Sequence, residues 1–249
     1  MSALEARHLS KAFGGLEVIS NLSLTVPPGQ RRAVIGPNGA GKTTFLNLVT
    51  GWLTPTSGHV LVDGQTVAGR PEKVTQSGIA RSFQRNMLLE DLTVMENLRV
   101  ACQAVHPCRL VFWRSKQAFA DVIEKAHRAA ERMHLTDILD VPVKHLSYGQ
   151  KRQLEVALAL CSEPRILLMD EPAAGTSPQE RARLIDLING LPKELTIVLV
   201  EHDMDVVFAT CDLITVLSYG KVLATGTRRE IQDDPTVMEA YLGHRHAGN

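Results

Sequence analysis

The chain has 249 residues, 44% hydrophobic and 22% charged, with 27 Lys+Arg against 27 Asp+Glu. That usage is ordinary for globular proteins and excludes a disordered chain; the length suits one large α/β domain or two small ones. A formal net charge of zero supplies no field to draw nucleic acid or anionic lipid, so no nucleic-acid partner is expected.

In chain order, Met1 to Arg7 carries Glu5 and lacks an apolar core, so it is not expected to be a secretory signal. The first thirty residues alternate: Leu4, Ala6 and His8, then Gly14-Gly15, then Val18, Leu22, Leu24 and Val26 before Pro27-Pro28-Gly29. This predicts strands joined by turns. Arg32-Ala33-Val34-Ile35 is a short strand entering a glycine loop, and Thr43 to Thr50 is a helix stopped by Gly51. His59-Val60-Leu61-Val62 before Asp63-Gly64 predicts a further strand and turn. From about Met87 to Leu160 the pattern is helical, with Phe119, Val122, Ile123, Ala126, Ala130 and Met133 on one face. Ser147 with Gln150 makes a capping box opening a helix through Leu154, Ala157, Leu158 and Cys161. The longest wholly apolar run, Val156 to Cys161, falls far short of the roughly 20 residues that cross a bilayer.

Ile166-Leu167-Leu168-Met169 predicts a buried strand, and Ser177 with Glu180 a second capping box, with Pro178 opening a helix that ends at Gly190. Thr196 to Val200 is another buried strand, and Val216-Leu217 and Val222-Leu223 flank Tyr219-Gly220 as a hairpin. Short apolar strands separated by helices imply a largely parallel sheet covered on both faces, with the helical middle inserted into it. Cys102, Cys108, Cys161 and Cys211 lack C-x-x-C spacing and are expected to be buried, reduced thiols.

Gly36-Pro37-Asn38-Gly39-Ala40-Gly41-Lys42-Thr43 matches G-x-x-x-x-G-K-[ST] between a strand and a helix. Glycines let successive N–H groups turn toward one anion, and the helix that follows adds its positive end. Lys42 is then a phosphate-binding point charge, Thr43 a Mg²⁺ ligand, and Thr44 a support for the α phosphate. Asp170 and Glu171 end an apolar strand, where ligand crevices of parallel sheets form. Asp170 is expected to meet Mg²⁺ through water, and Glu171, pointing the opposite way in a strand-like backbone, to act on the attacking water. His202, at the end of the next strand, is placed to contact a γ phosphate.

Leu146-Ser147-Tyr148-Gly149-Gln150, just ahead of the Asp170-Glu171 strand, resembles the signature motif of ATP-binding cassette (ABC) ATPases. That family usually has glycine where this chain has Tyr148. The resemblance covers essentially the whole chain. It implies an α/β P-loop NTPase cassette with a mostly parallel RecA-like core sheet, an N-terminal antiparallel β subdomain and an inserted α-helical subdomain. The cassette is expected to be one domain over 1–249, with its core in 1–85 and 162–249 and the helical part at about 86–161. The resemblance further implies that Ser147, Tyr148, Gly149 and Gln150 face the ATP of a second cassette subunit. It implies that Phe13 stacks on adenine, that Gln84 in the Q-loop contacts Mg²⁺ and water, and that His202 is the switch histidine. The D-loop departs from the family, with Ser177 where an acid or amide is usual.

Several stretches resemble the branched-chain amino acid and amide importer subfamily: Lys11 to Gly15, Gly78 to Gln84, Glu171 to Gly175, His106 to Lys116 and the tail Asp234 to Gly243. This implies ATP and Mg²⁺ as cofactors, membrane permease subunits as partners and, indirectly, a solute-binding protein. It implies a peripheral position on the cytoplasmic face of the inner membrane. Met87, Leu88, Leu89, Leu92, Val94 and Met95 are expected to contribute to a groove for the permease. The alternatives are a urea or amide importer, a lipopolysaccharide-type exporter cassette, a soluble non-transport ABC ATPase, or a P-loop metabolite kinase.

Overall fold

The computed structural model describes residues 2–67, 69–82, 88–105 and 116–246. Strands β1 (Leu4–Phe13) and β2 (Leu16–Val26) turn at Gly14-Gly15 and pair antiparallel, Leu4 opposite Val26 and Phe13 opposite Leu16. β4 (Ser57–Val62) pairs along the other edge of β1, and β5 (Gln65–Thr66) follows through the Asp63-Gly64 turn. The result is a four-stranded antiparallel sheet, β2-β1-β4-β5.

The second sheet is ordered β10-β9-β3-β8-β7-β6. It contains β3 (Arg31–Ile35), β6 (Ile79–Ser82), β7 (Ile166–Asp170), β8 (Thr196–Val200), β9 (Leu213–Ser218) and β10 (Lys221–Gly226). β3 runs parallel between β8 and β9, and β8 runs parallel to β7, while β10 returns antiparallel from β9 at Tyr219-Gly220. Successive residues face opposite sides, so one strand feeds two cores. Val34, Leu168, Val198, Val200 and Leu217 pack with Phe45 and Leu46 of α1 (Lys42–Val49) and with the inner face of the four-stranded sheet. Ala33, Ile35, Ile214 and Val216 pack with Val207 of α7 (Met204–Thr210), Ile231 of α8 (Arg228–Asp233) and Val237 of α9 (Pro235–His246). Covering both faces is why β7 and β8 read as unbroken apolar runs rather than alternating ones.

The chain divides into two compact units, 1–79 with 165–175 and 192–249, and 80–164 with 176–191. The first unit also holds the short helix α2 (Pro71–Gln76). The second contains α3 (Val94–Val105), α4 (Lys116–Arg132), α5 (Tyr148–Leu160) and α6 (Pro178–Gly190). Both expected capping boxes are present, Ser147 with Gln150 on α5 and Ser177 with Glu180 on α6. On α4 the buried stripe is Val122, Ala126, Ala129 and Ala130, continued by Met133 just past the helix end. Ile123, expected on that face, is 41% exposed. About 100° round from Val122 but only about 20° from Ala130, it sits at the edge of the stripe, whose alanines keep it narrow. Phe119's side chain lies outside the described residues.

Cys102 and Cys161 are buried free thiols, Cys211 is half-buried, and Cys108 lies outside the described residues. Of the stretch expected to form a groove, Leu88 and Val94 are buried inside the second unit and Leu89 is exposed; Met87 is outside the described residues. Buried Asn97 holds this turn, accepting from the Leu89 N–H at 2.9 Å and donating to the Leu89 and Thr93 carbonyls at 3.0 and 2.9 Å. Among the described residues no helix is long and apolar enough to cross a membrane.

Candidate active site

Three neighbouring parallel strands end on one edge of the six-stranded sheet. Val34 of β3 and Asp170 of β7 are both in register with Val200 of β8, so the residues that follow those three emerge side by side. From β3 the chain passes through Gly36 to Gly41 into α1. Gly36 has φ +155°, and a Cβ there would collide with the Leu217 carbonyl oxygen; one at Gly41, φ +100°, would stand 2.6 Å from Ile19 Cδ1. These positions accept only glycine because β2 and β9 press against the back of the loop.

The Ala40 N–H donates to the Pro37 carbonyl at 3.1 Å, and the Ala40 carbonyl accepts from the Gly220 N–H at 3.1 Å. The β9–β10 hairpin thus braces the loop, while the Gly220 carbonyl accepts from the Ser20 N–H of β2 at 3.0 Å. No side chain caps α1 at Gly41, and its first turn holds no acidic residue. Its N–H groups and positive dipole end are therefore offered to an anion. Asn38, Gly39 and Thr43 are exposed, Pro37 and Thr44 half-buried.

Lys42 opens the helix with its side chain folded back, Nζ donating to the carbonyls of Gly36 at 2.8 Å and Pro37 at 3.1 Å. Burial pulls its ammonium below the ordinary lysine value, opposed by the nearby charges of Glu171 and Asp170. Asp170, the last residue of β7, is buried. Glu171 departs from the sequence expectation: its backbone is not strand-like but left-handed, φ +46°. β7 has ended, and the turn back through Ala174, whose N–H donates to the Glu171 carbonyl at 3.1 Å, requires the reversal. The Glu171 N–H donates to the Val200 carbonyl at 2.8 Å, tying the two strand ends together.

His202 presents a side chain 63% exposed, with Nδ1 3.5 Å from Glu201 Oε2. Asp203 caps α7 by accepting from the Asp205 and Val206 N–H groups. Sequence reasoning assigned nothing to Glu201, yet this carboxylate is 0% exposed. Its oxygens accept from the N–H groups of Ala173 at 2.7 Å, His202 at 2.8 Å and Asp203 at 3.2 Å. The available signal was a lone acid directly after an apolar strand, a place where an unpaired charge would not be buried.

Phe13 ends β1, 47% exposed, with the Lys11 ammonium 5.1 Å from its ring centroid. It belongs to the same unit as the loop, Asp170, Glu171 and His202. Ser147, Tyr148, Gly149 and Gln150 begin α5 in the other unit. Tyr148 stands at the first helical position; its hydroxyl accepts from Arg152 Nε at 3.0 Å, and that guanidinium pairs with Glu155 at 2.7 Å. The i, i+4 spacing accounts for a tyrosine here, since the hydroxyl meets an arginine one turn on. Gln84 lies outside the described residues.

The donor set fits a magnesium nucleotide. A glycine-backed loop and an uncapped helix start take phosphate, and a hydroxyl plus one carboxylate are the few hard oxygen ligands Mg²⁺ takes from a protein.

A family profile described as ABC transporter matches residues 19–174, and one described as Branched-chain amino acid ATP-binding cassette transporter matches 221–247. The chain is 39% identical to BraF, a high-affinity branched-chain amino acid transport ATP-binding protein of Pseudomonas aeruginosa, over 96% of this chain and 97% of that protein. It is 38% identical to LivG of Escherichia coli, described in the same words, with the same coverage. Among solved structures it is similar to the ADP conformation of MJ1267, an ATP-binding cassette of an ABC transporter. The TM-score is 0.84 at 28% identity, covering 98% of this chain and 99% of that one.

Proposed function

The chain belongs to the ABC transporter family of ATP-binding subunits, and from that premise we propose that it is the ATPase powering a branched-chain amino acid importer. The observation that carries the reading is the set of three strand ends: the loop before Lys42, the Asp170-Glu171 pair and His202 leave adjacent parallel strands at one edge. In this reading Gly36, Pro37, Asn38, Gly39, Ala40 and Gly41 wrap the phosphates with backbone N–H groups, reinforced by the α1 dipole. Lys42 reaches the β and γ phosphates, Thr44 supports the α phosphate, and Phe13 stacks on adenine. Thr43, Gln84 and Asp170 would hold Mg²⁺, which would supply positive charge to offset that of the phosphates.

Glu171 orients the attacking water and takes its proton. The water oxygen bonds to the γ phosphorus as the bond to the β–γ bridging oxygen breaks, leaving ADP and inorganic phosphate. His202 donates to a γ oxygen and so registers whether the terminal phosphate is present. Ser147, Tyr148, Gly149 and Gln150 serve the ATP of a second cassette, so two ATP molecules close a dimer and hydrolysis opens it. Permease subunits turn that cycle into transport, a solute-binding protein delivers the solute, and the cassette sits peripherally on the cytoplasmic face. The relatives' names and the match over 221–247 support branched-chain amino acids as the solute class.

The test is to purify the chain with its membrane partners, reconstitute them in vesicles, and add the solute-binding protein that co-purifies. ATP-dependent uptake of leucine, isoleucine or valine, with matched ATP hydrolysis, is expected. Uptake of urea instead, or phosphate transferred to a solute rather than to water, would refute the assignment.

A further inference from the structure

We propose that Glu201 is a positioning residue for hydrolysis: its buried carboxylate binds the loop after Glu171 to the loop that carries His202 and holds the two side chains in one arrangement. This rests on reading the site as an ATPase, and it adds a residue that touches neither nucleotide nor water.

A carboxylate with no exposed surface persists only where its oxygens are satisfied. Here the donors are backbone N–H groups from two strand ends. Oε1 takes the Ala173 N–H at 2.7 Å, two residues beyond Glu171. Oε2 takes the His202 and Asp203 N–H groups at 2.8 and 3.2 Å, and faces His202 Nδ1 at 3.5 Å.

Glu171 is thereby held from both sides. Its own N–H goes to the Val200 carbonyl, next in sequence to Glu201, and the turn it begins is closed by the Ala174 N–H on the Glu171 carbonyl. The Ala173 N–H between them ends on Glu201. Left-handed backbone at a glutamate persists where its surroundings over-determine it, and Glu201 supplies one of those constraints. Two loops that share one carboxylate cannot shift independently. Displacing His202 therefore pulls on the turn that aims Glu171. The Gly36 to Thr43 loop carries none of these bonds, so phosphate binding is separable from the arrangement Glu201 maintains.

The experiment is steady-state hydrolysis by the full cassette with its permease, comparing parent, Glu201→Gln and Glu201→Asp. The amide of E201Q keeps the shape but turns an N–H₂ toward one set of N–H donors. Its kcat is expected to fall about tenfold or more (about 1.4 kcal/mol per tenfold). KM for ATP and the affinity for a fluorescent ATP analogue are expected to stay within about twofold of the parent. E201D, still charged but too short to reach both loops, is expected to lose kcat at unchanged KM, and it decides the matter should E201Q fail to fold. Parental kcat in either folded variant would overturn the proposal. So would a fall in kcat accompanied by a comparable rise in KM and weakening of nucleotide affinity, which a merely structural role produces. A parent that hydrolyses no ATP would instead overturn the functional reading, and this proposal with it.

Discussion

Replacing Lys42 by alanine separates what this side chain does for the folded protein from what it does for nucleotide. Without nucleotide, Nζ makes two hydrogen bonds to loop carbonyls and neighbours the charges of Asp170 and Glu171. Charged hydrogen bonds contribute about 1.5–3 kcal/mol each, but Lys42 is only 8% exposed, and the lost hydration of its ammonium offsets most of that gain. The unliganded stability of K42A is therefore expected within about 1 kcal/mol of the parent. With a triphosphate bound, the same ammonium faces phosphate charge and the offset is overcome. Losing about 3 kcal/mol there weakens binding by about 150-fold.

Thermal unfolding with and without nucleotide reads both quantities. At a nucleotide concentration about 100 times the parental Kd, the parent gains about 2.7 kcal/mol, whereas a variant binding about 150-fold more weakly gains about 0.3 kcal/mol. Because the folded-state pKa of Lys42 lies below its unfolded value, charging it opposes folding. Unliganded parent therefore gains stability over K42A as pH rises through the folded-state value toward the ordinary lysine one. Equal stabilisation of parent and variant by nucleotide would refute the role given to Lys42.

Glu171→Gln is expected to keep ATP affinity, lower turnover by about 100-fold or more, and accumulate an ATP-bound dimer visible by size exclusion; parental turnover would remove Glu171 from the chemistry. Gly220→Ala places a Cβ against the Val18 carbonyl at φ +73°. It should lower stability by about 1–3 kcal/mol and weaken nucleotide binding through the bond to Ala40; denaturant midpoints and a binding isotherm measure the two. Ser177→Ala removes the α6 cap and should lose about 1 kcal/mol in chemical denaturation, whereas Ser177→Asp, restoring the family's acid, caps equally well and should stay within about 0.5 kcal/mol.

The parts of the fold written into local chemistry were legible in the sequence. The loop before Lys42 sits between a strand and a helix, both capping boxes formed, and Tyr219-Gly220 turns the last hairpin. What escaped either lacked a distinct local signal or depends on partners distant in the chain. α2 is a six-residue helix without an apolar period, and α7 rests on Asp203 as cap, a signal that was available but shared its residues with the histidine motif. The reversal at Glu171 follows from where β7 must stop, which depends on its pairing with β8. Glu201 stood in view as an acid directly after an apolar strand, but its role was not legible for the same reason: one of its bonds reaches Ala173, 28 positions away. Ile123 was misplaced because an apolar period does not say how narrow an alanine-lined stripe is.

The left-handed glutamate at the end of β7 makes heat resistance and turnover compete at a single codon. An L-residue held there costs roughly 1 kcal/mol that glycine would not, so Glu171→Gly relieves the backbone while deleting the acid. A laboratory population selected only for survival at high temperature would drift toward that glycine and arrive at sturdier, idle cassettes. Selection for growth on the transported solute would drive the glutamate back.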